Sequence, residues 1–174
     1  MAYHRNKISL SWFFIFTVSV LCVGCYSKPR PKDLPKLYPC TLTFTYADGS
    51  PVDDALISLY SDDPSYKWMA GGRTDSSGKV GLATNGQYPG VPEGRFHVVI
   101  AKTESVRNGK KMEPDETLTE DEPVGVIQVY TYIEKQFAER KSTPLEVTIV
   151  PKGENDQTFL CGKPTRVLLT TIIP

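Results

Sequence analysis

Histidine is scarce in this chain, with two among 174 residues, His4 and His97. Hydrolytic zinc sites are commonly built on two or three imidazoles plus a carboxylate, so that chemistry is short of ligands. A Ser-His-Asp triad needs one imidazole, and His97 formally qualifies, yet no G-x-S-x-G elbow is present to offer a serine. Walker A and G-x-G-x-x-G phosphate loops are missing too. Neither sign of charge is in excess. Twenty Lys and Arg balance 20 Asp and Glu, for a formal net charge of zero, which excludes a binder driven by phosphate neutralisation. No period of about 20–50 residues recurs, which argues against a solenoid. The longest uncharged apolar run, Ile8 to Gly24, is 17 residues, a little short of the roughly 20 that a spanning helix needs.

What is present describes a globular domain of ordinary size with a leader. At 40% hydrophobic and 10% aromatic, the chain has enough apolar material to build a core. Fourteen Pro and 13 Gly are spread along it and predict many turns.

The N-terminus reads as an export signal. His4, Arg5 and Lys7 precede the apolar run, as a basic n-region precedes an h-region. The run ends in Leu21-Cys22-Val23-Gly24-Cys25, which resembles a bacterial lipobox, with Cys22 standing where Leu is usual. The resemblance implies removal of residues 1–24 as a signal peptide and acylation of Cys25, palmitate included, as the new N-terminus. The membrane then becomes a partner through more than one acyl chain, enough for stable anchoring. An uncleaved signal anchor and ordinary signal cleavage are the alternatives. Tyr26 follows Cys25, where Asp would argue for inner-membrane retention. The expected location is therefore the cell envelope, at the outer membrane on its periplasmic or surface face. Losing Arg5 and Lys7 takes the 20 basic residues to 18 against 20 acidic, a mature net charge of −2.

Residues 25–39 form a Pro-rich tether. Pro29, Pro31, Pro35 and Pro39 are interleaved with Lys28, Arg30, Lys32 and Lys36, a pattern that excludes a helix or a sheet interior. It is either a spacer holding a domain off the bilayer or a leader of no particular length.

From Cys40 onward the pattern has the period of strands. Leu42, Phe44 and Tyr46 alternate with Thr41, Thr43 and Thr45; Ala55, Ile57 and Leu59 alternate with Leu56, Ser58 and Tyr60. Val80, Leu82 and Thr84 follow, then Phe96, Val98 and Ile100, then Leu145, Val147 and Ile149. Thr158 to Leu160 and Arg166 to Ile173 read as the last strands. Turn chemistry separates them at Asp48-Gly49-Ser50-Pro51, Asp62-Asp63-Pro64-Ser65, Asp75-Ser76-Ser77-Gly78 and Asn85-Gly86. Thr103 to Pro123 reads as an irregular charged loop, and Val124 to Tyr132 is helix or strand. About seven short strands with turns predict an all-β fold, an antiparallel Greek-key β-sandwich, over 40–174.

Three segments carry a further resemblance: Asp48-Gly49-Ser50-Pro51-Val52-Asp53-Asp54-Ala55, Arg73-Thr74-Asp75-Ser76-Ser77-Gly78, and Gly94-Arg95-Phe96-His97-Val98. Their order resembles the carboxypeptidase-regulatory-like, or transthyretin-like, β-sandwich domains of bacterial envelope proteins. There a D-G-x-P-V-x-x-A turn, a T-D-x-x-G turn and a G-x-Y/F-x-V strand follow one another. Ile133 to Ile149 and the Gly153-Glu154-Asn155 turn are similar to the closing part of such lipoproteins, whereas Gly162 to Pro174 departs from it. The resemblance implies the accessory sandwich of such enzymes rather than a catalytic domain, with no cofactor. The single mature His97 also falls short of the ligands of transthyretin-like hydrolases and of two-His, two-Tyr iron dioxygenases.

The chain is therefore expected to be a non-catalytic structural or interaction module that meets an envelope protein or a glycan, not nucleic acid. For the glycan alternative the ring platforms are Tyr66, Trp68 and Tyr88; the other reading has Trp68 capping the core. The third and weakest reading is a hydrolase using His97. Asp48, Asp53, Asp54, Asp62 and Asp63 lack the spacing of a wrapped calcium loop and are expected to shape turns, so no metal is expected. Finally, Cys40 and Cys161 are the two thiols left in the mature domain. In an oxidising compartment such a pair is expected to form a disulfide; the alternative is two buried, unpaired thiols.

Overall fold

A computed structural model describes residues 30–112 and 125–173. The signal peptide, Cys25, the start of the tether and the acidic run 113–122 lie outside the described residues. The compact β body is a unit of its own, beginning at Pro35.

The strands are β1 (Leu37–Tyr38), β2 (Thr41–Thr45), β3 (Leu56–Ser61), β4 (Ala70–Arg73), β5 (Lys79–Gly81), β6 (Ala83–Thr84), β7 (Tyr88–Pro89) and β8 (Val91–Pro92), followed by β9 (Gly94–Ala101), β10 (Thr103–Arg107), β11 (Lys110–Lys111), β12 (Ile127–Thr131), β13 (Glu146–Ile149), β14 (Gln157–Leu160) and β15 (Val167–Ile172). One short helix, α1 (Lys135–Ala138), buries Phe137. The fold is all-β, with mostly antiparallel sheets. A six-stranded sheet runs β13-β9-β3-β4-β6-β7, a three-stranded sheet β14-β2-β5 and a four-stranded sheet β11-β10-β12-β15, while β1 pairs with β8. Leu37 and Tyr38, inside the stretch read as tether, thus belong to the body, opposite Pro92 and Val91.

Period-two alternation explains the core. Leu42 and Phe44 of β2 are fully buried while their Thr neighbours are half exposed. Ile57 and Leu59 of β3, Phe96, Val98 and Ile100 of β9, and Val147 and Ile149 of β13 join them in one cluster with Val80 and Phe159. The six- and three-stranded sheets therefore share one hydrophobic interior. Phe44 and Phe159 stack at 5.4 Å between ring centroids, an offset contact worth about 0.5–1.5 kcal/mol beyond its buried area.

Close approach to backbone demands glycine at several positions, Gly78 and Gly71 among them. Gly78 closes the Asp75 turn at φ +75°, and a Cβ there would collide with the Phe44 carbonyl oxygen. At Gly71 a Cβ would collide with the Ile57 carbonyl oxygen of the neighbouring strand β3, and at Gly72 it would come within 2.6 Å of the Val80 Cγ2 methyl.

Three Asp-x-Ser turns use one device. Asp48, Asp63 and Asp75 each accept from the backbone N–H and the hydroxyl of the Ser two residues on, at 2.6–2.9 Å. The hydroxyl bond, then the backbone bonds, hold all three carboxyls below the ordinary value of 3.8.

The structure departs from the sequence expectations in strand direction and in the segment after Lys102, and it decides one reading that the sequence leaves open. Strand β14 runs parallel to β2, Gln157 opposite Leu42 and Leu160 opposite Thr45, where an antiparallel neighbour was expected. The segment after Lys102 is not an irregular loop as far as Lys111. Thr103–Arg107 extends the line of β9 and turns back through Asn108-Gly109, both at positive φ, as a two-residue type I′ hairpin requires. The ambiguous stretch at Val124 to Tyr132 contains strand β12.

The expected Cys40–Cys161 disulfide is not formed, and both are free, buried thiols. The parallel pairing is the reason. Cys40 precedes β2, whereas Cys161 follows β14 and donates its N–H to the Thr45 carbonyl at 2.8 Å. The two thus sit at opposite ends of the same strand pair. Six residues at about 3.3 Å each put them on the order of 20 Å apart, well beyond the roughly 7 Å Cα limit of a disulfide. Cys40 instead donates its S–H to the Asn155 carbonyl at 3.1 Å. Burial pushes both thiols up to about 12.

Candidate functional site

The outer face of the six-stranded sheet carries the main concentration of polar chemistry. Register places Tyr60 of β3 and Glu146 of β13 on either side of His97 of β9. These three belong to the face opposite Leu59, Phe96, Val98 and Val147, as the alternation demands. His97 Nε2 lies 2.8 Å from Asp62 Oδ1, and its Nδ1 lies 3.7 Å from Glu146 Oε1. Arg95 reaches the other oxygen of Asp62 at 3.0 Å. Partial burial pushes the Asp62 carboxyl up, but His97 and Arg95 outweigh it and hold it below the usual carboxylate range. The arrangement sets the imidazole beside Asp62, with the Arg95 guanidinium on the other oxygen of that carboxylate and Glu146 farther off on the Nδ1 side. General-base work on a nucleophile needs one imidazole nitrogen on a carboxylate and the other toward the nucleophile. Here Nε2 is on Asp62, while Nδ1, 3.7 Å from Glu146 Oε1, is buried and makes no hydrogen bond among the described residues.

Beside this network the β3–β4 loop forms a pocket of about 170 Å³. Tyr60, Tyr66, Trp68 and Arg140 line it together with Asp63 and Lys67. The Arg140 guanidinium lies over the Tyr60 ring at 5.7 Å and donates to the Ser61 carbonyl at 2.6 Å. Tyr66 packs edge-on against the core residue Phe96 at 5.4 Å. Its hydroxyl is buried without a hydrogen-bond partner among the described residues, and burial pushes that hydroxyl up to about 12. Trp68 is half-buried, with Lys67 Nζ 5.3 Å from its ring. Comparison with family models, with curated proteins and with solved structures yields no match. The site thus rests on its own geometry.

Of the three aromatics singled out in the sequence, the pocket joins Tyr66 and Trp68. Tyr88 is elsewhere, on the outermost strand β7 of the six-stranded sheet. Tyr60 and Arg140 were not singled out. Tyr60 is legible as an outward-facing strand aromatic, but nothing in the sequence ties Arg140 to it across 79 intervening positions. The five acidic residues weighed as a calcium loop do not converge. Asp53 pairs with Lys102, Asp54 with Arg73, and Asp62 with Arg95 and His97, while Asp48 and Asp63 shape their own turns. Among the described residues no group of three or more His, Cys, Asp or Glu is placed to hold a metal ion.

Proposed function

We propose that this chain is a lipid-anchored, non-catalytic module of the cell envelope. In this reading acylated Cys25 and the Pro-rich tether carry an all-β body of the transthyretin-like, carboxypeptidase-regulatory-like kind, a Greek-key sandwich. It works at the outer membrane as a structural or interaction element. The observation that carries the non-catalytic part is that His97, the one imidazole of the mature chain, has Nε2 on Asp62 and Nδ1 on the Glu146 side, where no nucleophile hydrogen-bonds to it among the described residues. The lipobox-like end of the leader supports the anchor. The test is turnover by the processed chain on ester, peptide and glycoside panels, alongside His97→Ala. Turnover that His97→Ala abolishes while the fold survives contradicts the proposal; no turnover above buffer in either is the expected result.

A second reading, capture of a glycan, is favoured by the meeting of Tyr66 and Trp68 in one pocket beside Tyr60 and Arg140. A ring face stacked on a sugar with a cationic neighbour is a suitable recognition element. Glycan-array binding lost in Trp68→Ala would favour it over a purely structural role.

A further inference from the structure

The pocket beside the β3–β4 loop holds a charge that its neighbours leave unanswered. Arg140 lines it and is exposed. Its guanidinium lies over the Tyr60 ring at 5.7 Å and donates to the Ser61 carbonyl at 2.6 Å, which leaves most of the donors of that fork unused. Among the described residues no carboxylate pairs with it. The two acids beside Ser61 are already engaged. Asp62 holds Arg95 and His97, and Asp63 accepts from the Ser65 N–H and hydroxyl. Lys67, in the same lining, has its Nζ 5.3 Å from the Trp68 ring. Two rings that already meet cations do not suit a cationic ligand; an anionic one supplies the missing charge.

The rest of the lining says what carries the anion. Trp68 and Tyr60 offer amphipathic ring bodies. Tyr66 leaves a buried hydroxyl unpaired among the described residues, a demand that a hydroxylated ligand can meet and a hydrocarbon cannot. An extended peptide has no backbone to pair with here. Strands β3 and β4 are interior to the six-stranded sheet, β3 between β9 and β4, and β4 between β3 and β6, so no strand can be added to them. At about 170 Å³ the pocket is smaller than the roughly 300–1,000 Å³ of a whole ligand site. It shares Met69, however, with a trough of about 470 Å³ lined by Leu56, Ser58, Gly71 and Asn85, so a chain has room to continue.

We propose that the pocket and its trough bind an acidic saccharide chain, one whose sugars carry carboxylates. Arg140 holds a sugar carboxylate through two parallel N–H donors, the geometry that a guanidinium fork is shaped for. Trp68 stacks on that sugar, and the next one lies over Gly71. The proposal rests on the glycan reading above and adds to it the charge of the ligand and the residue that reads it.

Isothermal titration calorimetry of the full processed chain in mild detergent tests this with trigalacturonic acid, its neutral methyl ester and a triglutamate peptide. The acid is expected to bind at least about tenfold more tightly than the ester. Arg140→Gln is expected to bring that ratio to about one, and Trp68→Ala to weaken both saccharides. Far-ultraviolet spectra check that both variants keep the fold. Acid and ester bound alike by the wild type, or a preference that survives Arg140→Gln, overturns this inference and leaves the glycan reading standing. Binding of neither saccharide overturns it too, and an empty glycan array then removes the glycan reading with it. A triglutamate peptide bound as tightly as the acid overturns it in favour of an acidic peptide.

Discussion

Thr74 is the residue whose replacement reports most cleanly on how the body is held. It is 4% exposed and follows β4. Its hydroxyl donates to the Val52 carbonyl at 2.7 Å and accepts the Ala55 N–H at 2.8 Å. Both partners belong to the connection between β2 and β3, and both are themselves fully buried. Thr74→Val keeps the volume and removes the hydroxyl, leaving one buried carbonyl and one buried N–H unpaired. Each orphaned group costs about 1–3 kcal/mol, so a loss of about 2–4 kcal/mol is expected once the added methyl is offset against it. Thr74→Ser keeps both bonds and loses one buried methyl, about 1 kcal/mol. Urea unfolding is read by Trp68 fluorescence in a chain beginning at Cys25, which lacks Trp12. With a slope of about 2 kcal/mol per molar, the valine variant moves the midpoint down by about 1–2 M and the serine variant by about 0.5 M. Equal midpoints for valine and serine would refute the claim that this hydroxyl clamps the β2–β3 connection.

The parallel pairing of β14 with β2 predicts thiol chemistry. Denaturing alkylation without reductant should label both Cys40 and Cys161, and the native protein should react far more slowly, because burial pushes both thiols up to about 12 and only the thiolate is nucleophilic. A body mass two protons lighter and resistant to label would mean that the strands are arranged otherwise. The Asp-x-Ser turns predict an acid limb. The folded carboxyls of Asp48, Asp63 and Asp75 lie below the ordinary 3.8, so the unfolded chain binds more protons in that window. Their contribution is complete above about pH 4 and is lost as pH falls through the folded values. Urea midpoints measured from pH 6 to pH 2 should fall on this limb, and the fall should be shallower in Asp75→Asn.

Much of the body is legible in the sequence because burial on one face of a strand leaves a mark of period two. Leu42 and Phe44, Ile57 and Leu59, Phe96, Val98 and Ile100, and Val147 and Ile149 are all read correctly as inward residues. The Asp48, Asp63 and Asp75 turns are legible for a related reason: an Asx turn is made by residues two apart and needs no tertiary context. Strand direction has no such mark. Alternation in Gln157–Leu160 is the same whether it pairs parallel or antiparallel, and the disulfide expectation fails on that point alone. The hairpin at Asn108-Gly109 has a signal, the most favourable two-residue turn, but Arg107, Lys110 and Lys111 flank it and mask the alternation of a strand. In the candidate site, His97 on the outer face follows from the strand period. Its carboxylate partners do not, because Glu146 and Asp62 reach it only through the sheet order β13-β9-β3. Tyr88 was grouped with Tyr66 and Trp68 because all three precede or follow turns, and chain proximity to a turn does not fix which end of a sheet the turn occupies.

The anchored-module account stands or falls on the chemistry of Cys25. Cells expressing the wild-type chain or Cys25→Ala are grown with an alkyne palmitate analogue, and the recovered protein is conjugated and weighed. The account predicts label on the wild type alone, on a product that begins at Cys25, with the alanine variant unlabelled and released from the membrane fraction. Absence of label from both, with the wild type keeping residues 1–24, would contradict it and identify the leader as a signal anchor.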